Sequence, residues 1–322
     1  MERKKLRLLV VNYHYIRENV PSRGIYPLTP SQFENKLDEI SKNGFKFVSL
    51  KQVNDAIEFK DKSFLSSNSC LITFDDGLKE SYEVGLSILD KKGIPGAFFV
   101  PTFPIETQKT LDVHKFHYVQ SQFISKDILK SAPMEFLNVL GNISSENLLG
   151  QYPWDDLETA KMKYLVNFIL NEDDRNKFID HLFNLCGVIE KAFVDDFYMN
   201  RNQIRILAER GYLGAHGRTH CPLAALDLFD LQRELDMSIQ TLEECASQKI
   251  TSISYPYGGP TAVSPLLYRE VKARNFCSGF TMERGLNDWD DLEKRPLALK
   301  RFDTNDVYGG KSEQVLKRYL NS

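Results

Sequence analysis

The sequence predicts an α/β fold built on a parallel sheet or barrel. Short β-type runs alternate with helical ones through most of the chain, as parallel architectures require. Two of those runs also end abruptly in clusters of carboxylates or histidines, and catalytic groups of parallel folds collect at the C-terminal ends of the strands.

The expected strands are 8–13, 46–50, 70–74, 96–101, 212–215, 252–255, 278–281 and 297–302. Between them, Thr29 followed by Pro30 and Gln32 reads as an N-cap with proline at the first helical position. Phe33, Leu37 and Ile40 then form one apolar face, which Gly44 ends. Leu228, Leu231, Leu235, Ile239 and Leu242 make a second stripe of this kind, and core packing accounts for both. Residues 103–200 break the alternation with a largely helical stretch containing Trp154 and several Phe and Tyr. A connection of that length is unusual inside a compact fold. It is expected to be a helical insertion within a single catalytic domain spanning 1–322, acting either as a lid that sets substrate choice or as a purely structural patch.

Composition narrows the function classes. The 322 residues, 42% hydrophobic and 26% charged, are enough for a sizeable core. With 41 basic and 44 acidic residues well mixed and a net charge of -3, the chain has no basic stripe to grip a phosphate backbone, so nucleic acid is not an expected partner. No stretch approaches the roughly 18 apolar residues of a membrane span. Residues 1–15 carry an apolar run that Arg7 breaks and Asn12 ends, too short for the core of a signal peptide, and the chain as given reads as cytoplasmic. Cys70, Cys186, Cys221, Cys245 and Cys277 are widely spaced and form no Cys-x-x-Cys pair, so reduced thiols are expected.

Three segments carry chemistry. The run 70–74 ends in Asp75, Asp76 and Gly77, which puts two carboxylates at a strand end. The same tripeptide is also a good turn, and alone it favours structure. His216-Gly217-Arg218-Thr219-His220 follows the run 212–215, and two imidazoles at this spacing in a turn let both rings face one point, as zinc and similar ions require. Ser254-Tyr255-Pro256-Tyr257-Gly258-Gly259 follows a third run, where Gly258 permits tight backbone geometry and N–H groups near Tyr257 are placed to face a ligand, as in any strand-ending turn.

In this order the three segments resemble the polysaccharide deacetylase, or NodB-homology, family. Thr73-Phe74-Asp75-Asp76-Gly77 matches its first motif, His216 and His220 match the histidines of the second, and Tyr255-Pro256-Tyr257-Gly258 matches the end of the third. The resemblance implies a distorted (β/α)7 barrel with the helical insertion added to it. It also implies one divalent ion, Zn2+ first, on Asp76, His216 and His220. Asp75 would be the general base, and the Tyr257 backbone N–H would help stabilise the oxyanion.

The chain departs from the family pattern in four places. Gly217 stands where a Ser or Thr is usual. Ser254 replaces the arginine that opens the third motif, and Arg301, on the expected strand 297–302, is either the group that orients the base instead or a surface arginine. The fourth motif is weakly echoed by Asp288 and Trp289. No histidine follows His220, so the acid histidine of the C-terminal motif is absent. Some members of the family look circularly permuted, with the acid-bearing strand first in the chain, and His14 after the run 8–13 fits that arrangement. His114 and His117 are its rivals and, with Tyr255, the expected substrate contacts, while His181 has nothing to recommend it.

The resemblance thus implies hydrolysis of an N-acyl, chiefly N-acetyl, group on an amino sugar that is free, nucleotide-linked or lipid-linked. The alternatives are a catalytically inactive glycan-binding relative and a hydrolase of a non-sugar amide.

Overall fold

Strands β1 (Arg7–Tyr13), β2 (Lys46–Phe47), β3 (Asn68–Phe74), β4 (Gly96–Val100), β5 (Leu213–Ala215), β6 (Ser252–Ser254), β7 (Ser278–Phe280) and β8 (Phe302–Asp303) make one sheet in the computed structural model, which describes residues 6–152 and 155–321. Trp154 lies outside the described residues. The strand order is β7-β6-β5-β4-β3-β1-β8, with β2 pairing β3 beside this path, and every ladder is parallel. Leu299 bridges Phe280 of β7, and Phe302 shortly after it pairs with Val11 of β1. One segment therefore joins both edges and curls the sheet into a barrel, distorted because neither junction is a full ladder.

Two of the expected strands shrink to two paired residues each. In 46–50 only Lys46–Phe47 pairs, because Ser49 caps the helix Leu50–Glu58 in a capping box with Gln52. In 297–302, Pro296–Ala298 forms a single 3-10 turn and the strand begins only at Phe302. The helix Pro30–Lys42 starts on the Thr29–Gln32 capping box, buries Phe33, Leu37 and Ile40, and ends at Gly44, whose φ is 83°. The helix Leu228–Ala246 buries Leu231, Leu235 and Leu242, while Leu228 in its first turn is exposed.

The two-residue period of the strands sorts the core into two layers. Leu9, Val11, Tyr13, Cys70, Ile72, Phe74, Phe98 and Ile253 pack outward under the helices. Leu8, Val10, Leu71, Ala97, Phe99 and Phe280 fill the other face, the barrel interior. Continued along β1 and β3, the interior set runs to Asn12 and Thr73, which are partners in register. The interior is thus apolar at the N-terminal ends of the strands and polar where they finish.

The chain divides into two compact units. The barrel unit comprises Met1–Val20, Pro27–Lys109 and Val194–Ser322, and the other comprises Pro21–Tyr26 and Thr110–Phe193. The second unit is narrower than the stretch 103–200, because Phe103 N donates to Arg218 O at 3.0 Å and Met199 N to Gly77 O at 2.9 Å, which tie both flanks into the barrel unit. Among its described residues the second unit is helical, with its own core around Val119, Leu129, Leu165, Ile179 and Leu182. Tyr118, Phe183 and Phe193 pack edge to face, and Lys115 is buried with Asp180 at 2.6 Å. No helix among the described residues is long and apolar enough to cross a membrane.

Candidate active site

Asp75 follows Leu71 and Thr73 on the inward face of β3, so the strand itself delivers its carboxylate to the barrel interior. Simple alternation would turn Asp76 outward. Its φ of 74° and the 64° of Gly77 instead bend the chain at once, and the Asp76 carboxylate reaches the same mouth. A Cβ at position 77 would lie 2.9 Å from Val100 Cγ1, so the turn depends on glycine there. His220 and Tyr257 also adopt left-handed backbone, with φ of 60° and 62°. Such strain costs about 1–3 kcal/mol per residue and collects where side chains must be aimed.

Asp76, His216 and His220 form a buried group whose candidate ligand atoms lie within 4.8 Å of one another. Asp76 Oδ1 is 3.4 Å from His216 Nε2 and 3.1 Å from His220 Nε2. His216 Nδ1 lies 2.8 Å from the Ser254 carbonyl oxygen. A carbonyl only accepts, so Nδ1 carries a proton, and Nε2 on the Asp76 side is the atom left for a metal. Burial disfavours positive charge on His216, but Asp75 and Asp76 outweigh it and raise its pKa, so the pocket attracts a cation. Two imidazole nitrogens and one carboxylate oxygen around one point suit zinc or a related divalent ion. Cys221 is not part of the group.

Beside this group, Asp75 is buried in donors. Arg301 Nη1 donates to Oδ1 at 3.0 Å and Nη2 to Oδ2 at 2.9 Å, while Ser254 Oγ and Asn12 Nδ2 each donate to Oδ2 at 3.0 Å. Arg301 is itself fixed by Nε to Thr281 O at 2.9 Å and by Nη2 to Ser254 Oγ at 2.8 Å. Burial alone pushes the Asp75 carboxyl up, but the Arg301 charge and hydrogen bonds more than offset it and hold the pKa below the usual carboxylate value. Ser254, where the family pattern has arginine, hydrogen-bonds the arginine that comes from position 301.

His14 stands just past β1. Asn12 Nδ2, which donates to Asp75, also lies 3.4 Å from His14 Nε2, so one amide spans the two side chains. Tyr257 is half-exposed and sets its ring edge-on to His220 at 5.0 Å. Tyr15 was not foreseen. Burial and the nearby charge of Asp76 both push its phenol well above the ordinary value. Asn12 was also missed, although a polar residue two positions before His14 in an otherwise apolar run was a readable signal.

Two other expectations need correction. Tyr255 is fully buried and donates its hydroxyl to Leu297 O at 2.8 Å, so it is part of the barrel core and not a substrate contact. Asp288 caps the helix Trp289–Lys294, and its neighbour Asn287 bridges Leu8 at the N-terminal half of β1. The echo of the fourth motif therefore belongs to the barrel's opposite end. His114 and His117 sit on the helix Asp112–Gln122 of the second unit with ring centroids 6.1 Å apart, His114 buried. His181 is exposed on the helix Glu172–Leu185 of the same unit.

No family model and no curated protein sequence matches the chain. Its structure is similar to that of the Streptococcus pyogenes deacetylase PplD, solved in complex with acetate, with a TM-score of 0.55 and 16% identity over 98% of this chain and 99% of that one. It is similar also to IcaB from Ammonifex degensii, at TM-score 0.58 and 15% identity over 98% and 97%. A de-N-acetylase from Aggregatibacter actinomycetemcomitans gives TM-score 0.58 and 14% identity over 98% and 100%.

Proposed function

Because the chain has the fold of the polysaccharide deacetylases, we propose that it is a metal-dependent hydrolase that removes an N-acetyl group from an amino sugar. The observation that carries this reading is the juxtaposition of two carboxylates with different surroundings. Asp75 is bound by Arg301, Ser254 and Asn12, and Asp76 faces two histidine nitrogens.

In this reading Asp76, His216 and His220 hold the ion. The chemistry that a divalent ion supplies when bound is activation of water near neutral pH and a positive charge beside the acyl oxygen. Asp75 takes the proton from the attacking water. Arg301 and Ser254 keep Asp75 ionised and correctly turned to accept that proton. The Tyr257 backbone N–H helps stabilise the negative oxygen that develops on the acyl carbon. His14 protonates the departing amine.

The direct test is mass spectrometry of N-acetylated nucleotide sugars, lipid-linked sugars and short oligosaccharides incubated with the zinc-loaded protein. Loss of one acetyl group from a member of the panel, abolished by Asp75→Asn, supports the reading. Return of every compound unchanged, together with glycan binding, would establish an inactive relative instead.

A further inference from the structure

Partners outside the loop bind the backbone of the stretch that carries both histidines. Gly217 has a φ of 67° and His220 one of 60°, so two residues in this short stretch are left-handed, and Gly217 brings no side chain to stabilise the turn. We propose that Glu234, on the helix Leu228–Ala246, is a positioning residue for the metal pocket, its carboxylate doing from outside the loop what a side chain at position 217 does not. The inference rests on the reading of Asp76, His216 and His220 as metal ligands.

The geometry is specific to the loop. Glu234 Oε1 accepts from Arg218 N at 2.9 Å, Thr219 N at 2.5 Å and Thr219 Oγ1 at 2.9 Å. Ser238, four residues on and so on the same helix face, donates its hydroxyl to Gly217 O at 2.9 Å. Between them the two side chains bind the backbone at 217, 218 and 219, the whole span between the histidines. A Cβ built at Gly217 would come 3.6 Å from Glu234 Oε1, so the carboxylate stands where a side chain at 217 would reach. Arg218 adds a second anchor by donating Nε to Glu106 Oε2 at 2.6 Å, and the other oxygen of Glu106 accepts from Thr241 on the same helix at 3.1 Å.

The acid stands among the apolar positions of its helix. Glu234 is buried beside Leu231 and Leu235, where an apolar residue would complete the stripe, and a buried carboxylate is costly unless its oxygens are satisfied. Three donors from the loop reach its Oε1. Helix and loop are therefore locked together, and His216 and His220 are held ready before an ion arrives. Residues that orient metal ligands typically contribute about 10–100-fold in metal affinity.

The experiment is zinc affinity, measured with the purified chain by competition against a chromogenic chelator, alongside thermal melts and steady-state kinetics. Glu234→Ala is expected to bind zinc about 10–100-fold more weakly and to lower kcat with KM little changed. Glu234→Gln recovers most of the affinity, because its amide oxygen still accepts. Ser238→Ala falls between the parent and Glu234→Ala. Leu242→Ala, a cavity further along the same helix, lowers the melting temperature while zinc affinity stays at the parent's value, which separates positioning from general stability. If Glu234→Ala does not fold, Ser238→Ala decides, since parental affinity in that variant overturns the proposal. It is equally overturned if folded Glu234→Ala binds zinc like the parent while His216→Ala does not. A parent chain that binds no zinc overturns this proposal and the ligand assignment together.

Discussion

Arg301 grips both carboxylate oxygens of Asp75, Nη1 to Oδ1 at 3.0 Å and Nη2 to Oδ2 at 2.9 Å, from the segment that joins the two edges of the sheet. Both side chains are buried, and the guanidinium fork matches the carboxylate in a way that a lysine does not. The segment that closes the barrel at Leu299 and Phe302 thus also carries the arginine that holds Asp75.

Removing that partner leaves a charge stranded. Arg301→Ala is expected to destabilise the fold by about 3–5 kcal/mol, the usual cost of an unpaired buried charge, read as a shift of the urea midpoint. Combining it with Asp75→Asn recovers part of the loss, because the neutral amide needs no counter-ion. Strict additivity in that cycle would mean that the two groups do not interact.

The two aspartates should part company under mutation. Asp75→Asn retains stoichiometric metal, measured by elemental analysis, and lowers kcat by about two to four powers of ten, as for loss of a positioned general base. Asp76→Asn, like His216→Ala or His220→Ala, loses the metal instead. The reverse outcome would exchange the roles of Asp75 and Asp76.

His14→Ala should keep the metal and the fold yet slow turnover by about a hundredfold or more, and the decline of kcat on the alkaline side should disappear with it. If His114→Ala or His117→Ala collapses turnover while His14→Ala does not, the acid belongs to the second unit.

Tyr255→Phe tests whether Tyr255 belongs to the core or to the substrate pocket. Loss of the bond to Leu297 O should cost about 0.5–1.5 kcal/mol of stability, the usual net worth of a hydrogen bond, with KM unchanged. A raised KM at parental stability would return Tyr255 to the substrate.

Much of this protein is settled by local sequence. The apolar runs ending in Asp75-Asp76-Gly77 and before His216 specify parallel strands and put the chemistry at their C-terminal ends, because a strand's two-residue period decides which side chains face the interior. The Thr29 capping box and the stripe on Leu228–Ala246 were legible for the same reason, since helix caps and faces depend on neighbours three and four residues away. What the tertiary structure alone decided involves partners far apart in the chain. Arg301 reaches Asp75 across 226 positions and Ser254 reaches it across 179. Glu234 and Ser238 occupy the loop's side of a helix whose apolar stripe gave no hint of the loop, and Tyr255 turned from motif residue to core residue once Leu297 was found beneath its hydroxyl. Local periodicity fixes which way a side chain points. Only barrel closure fixes what it meets there.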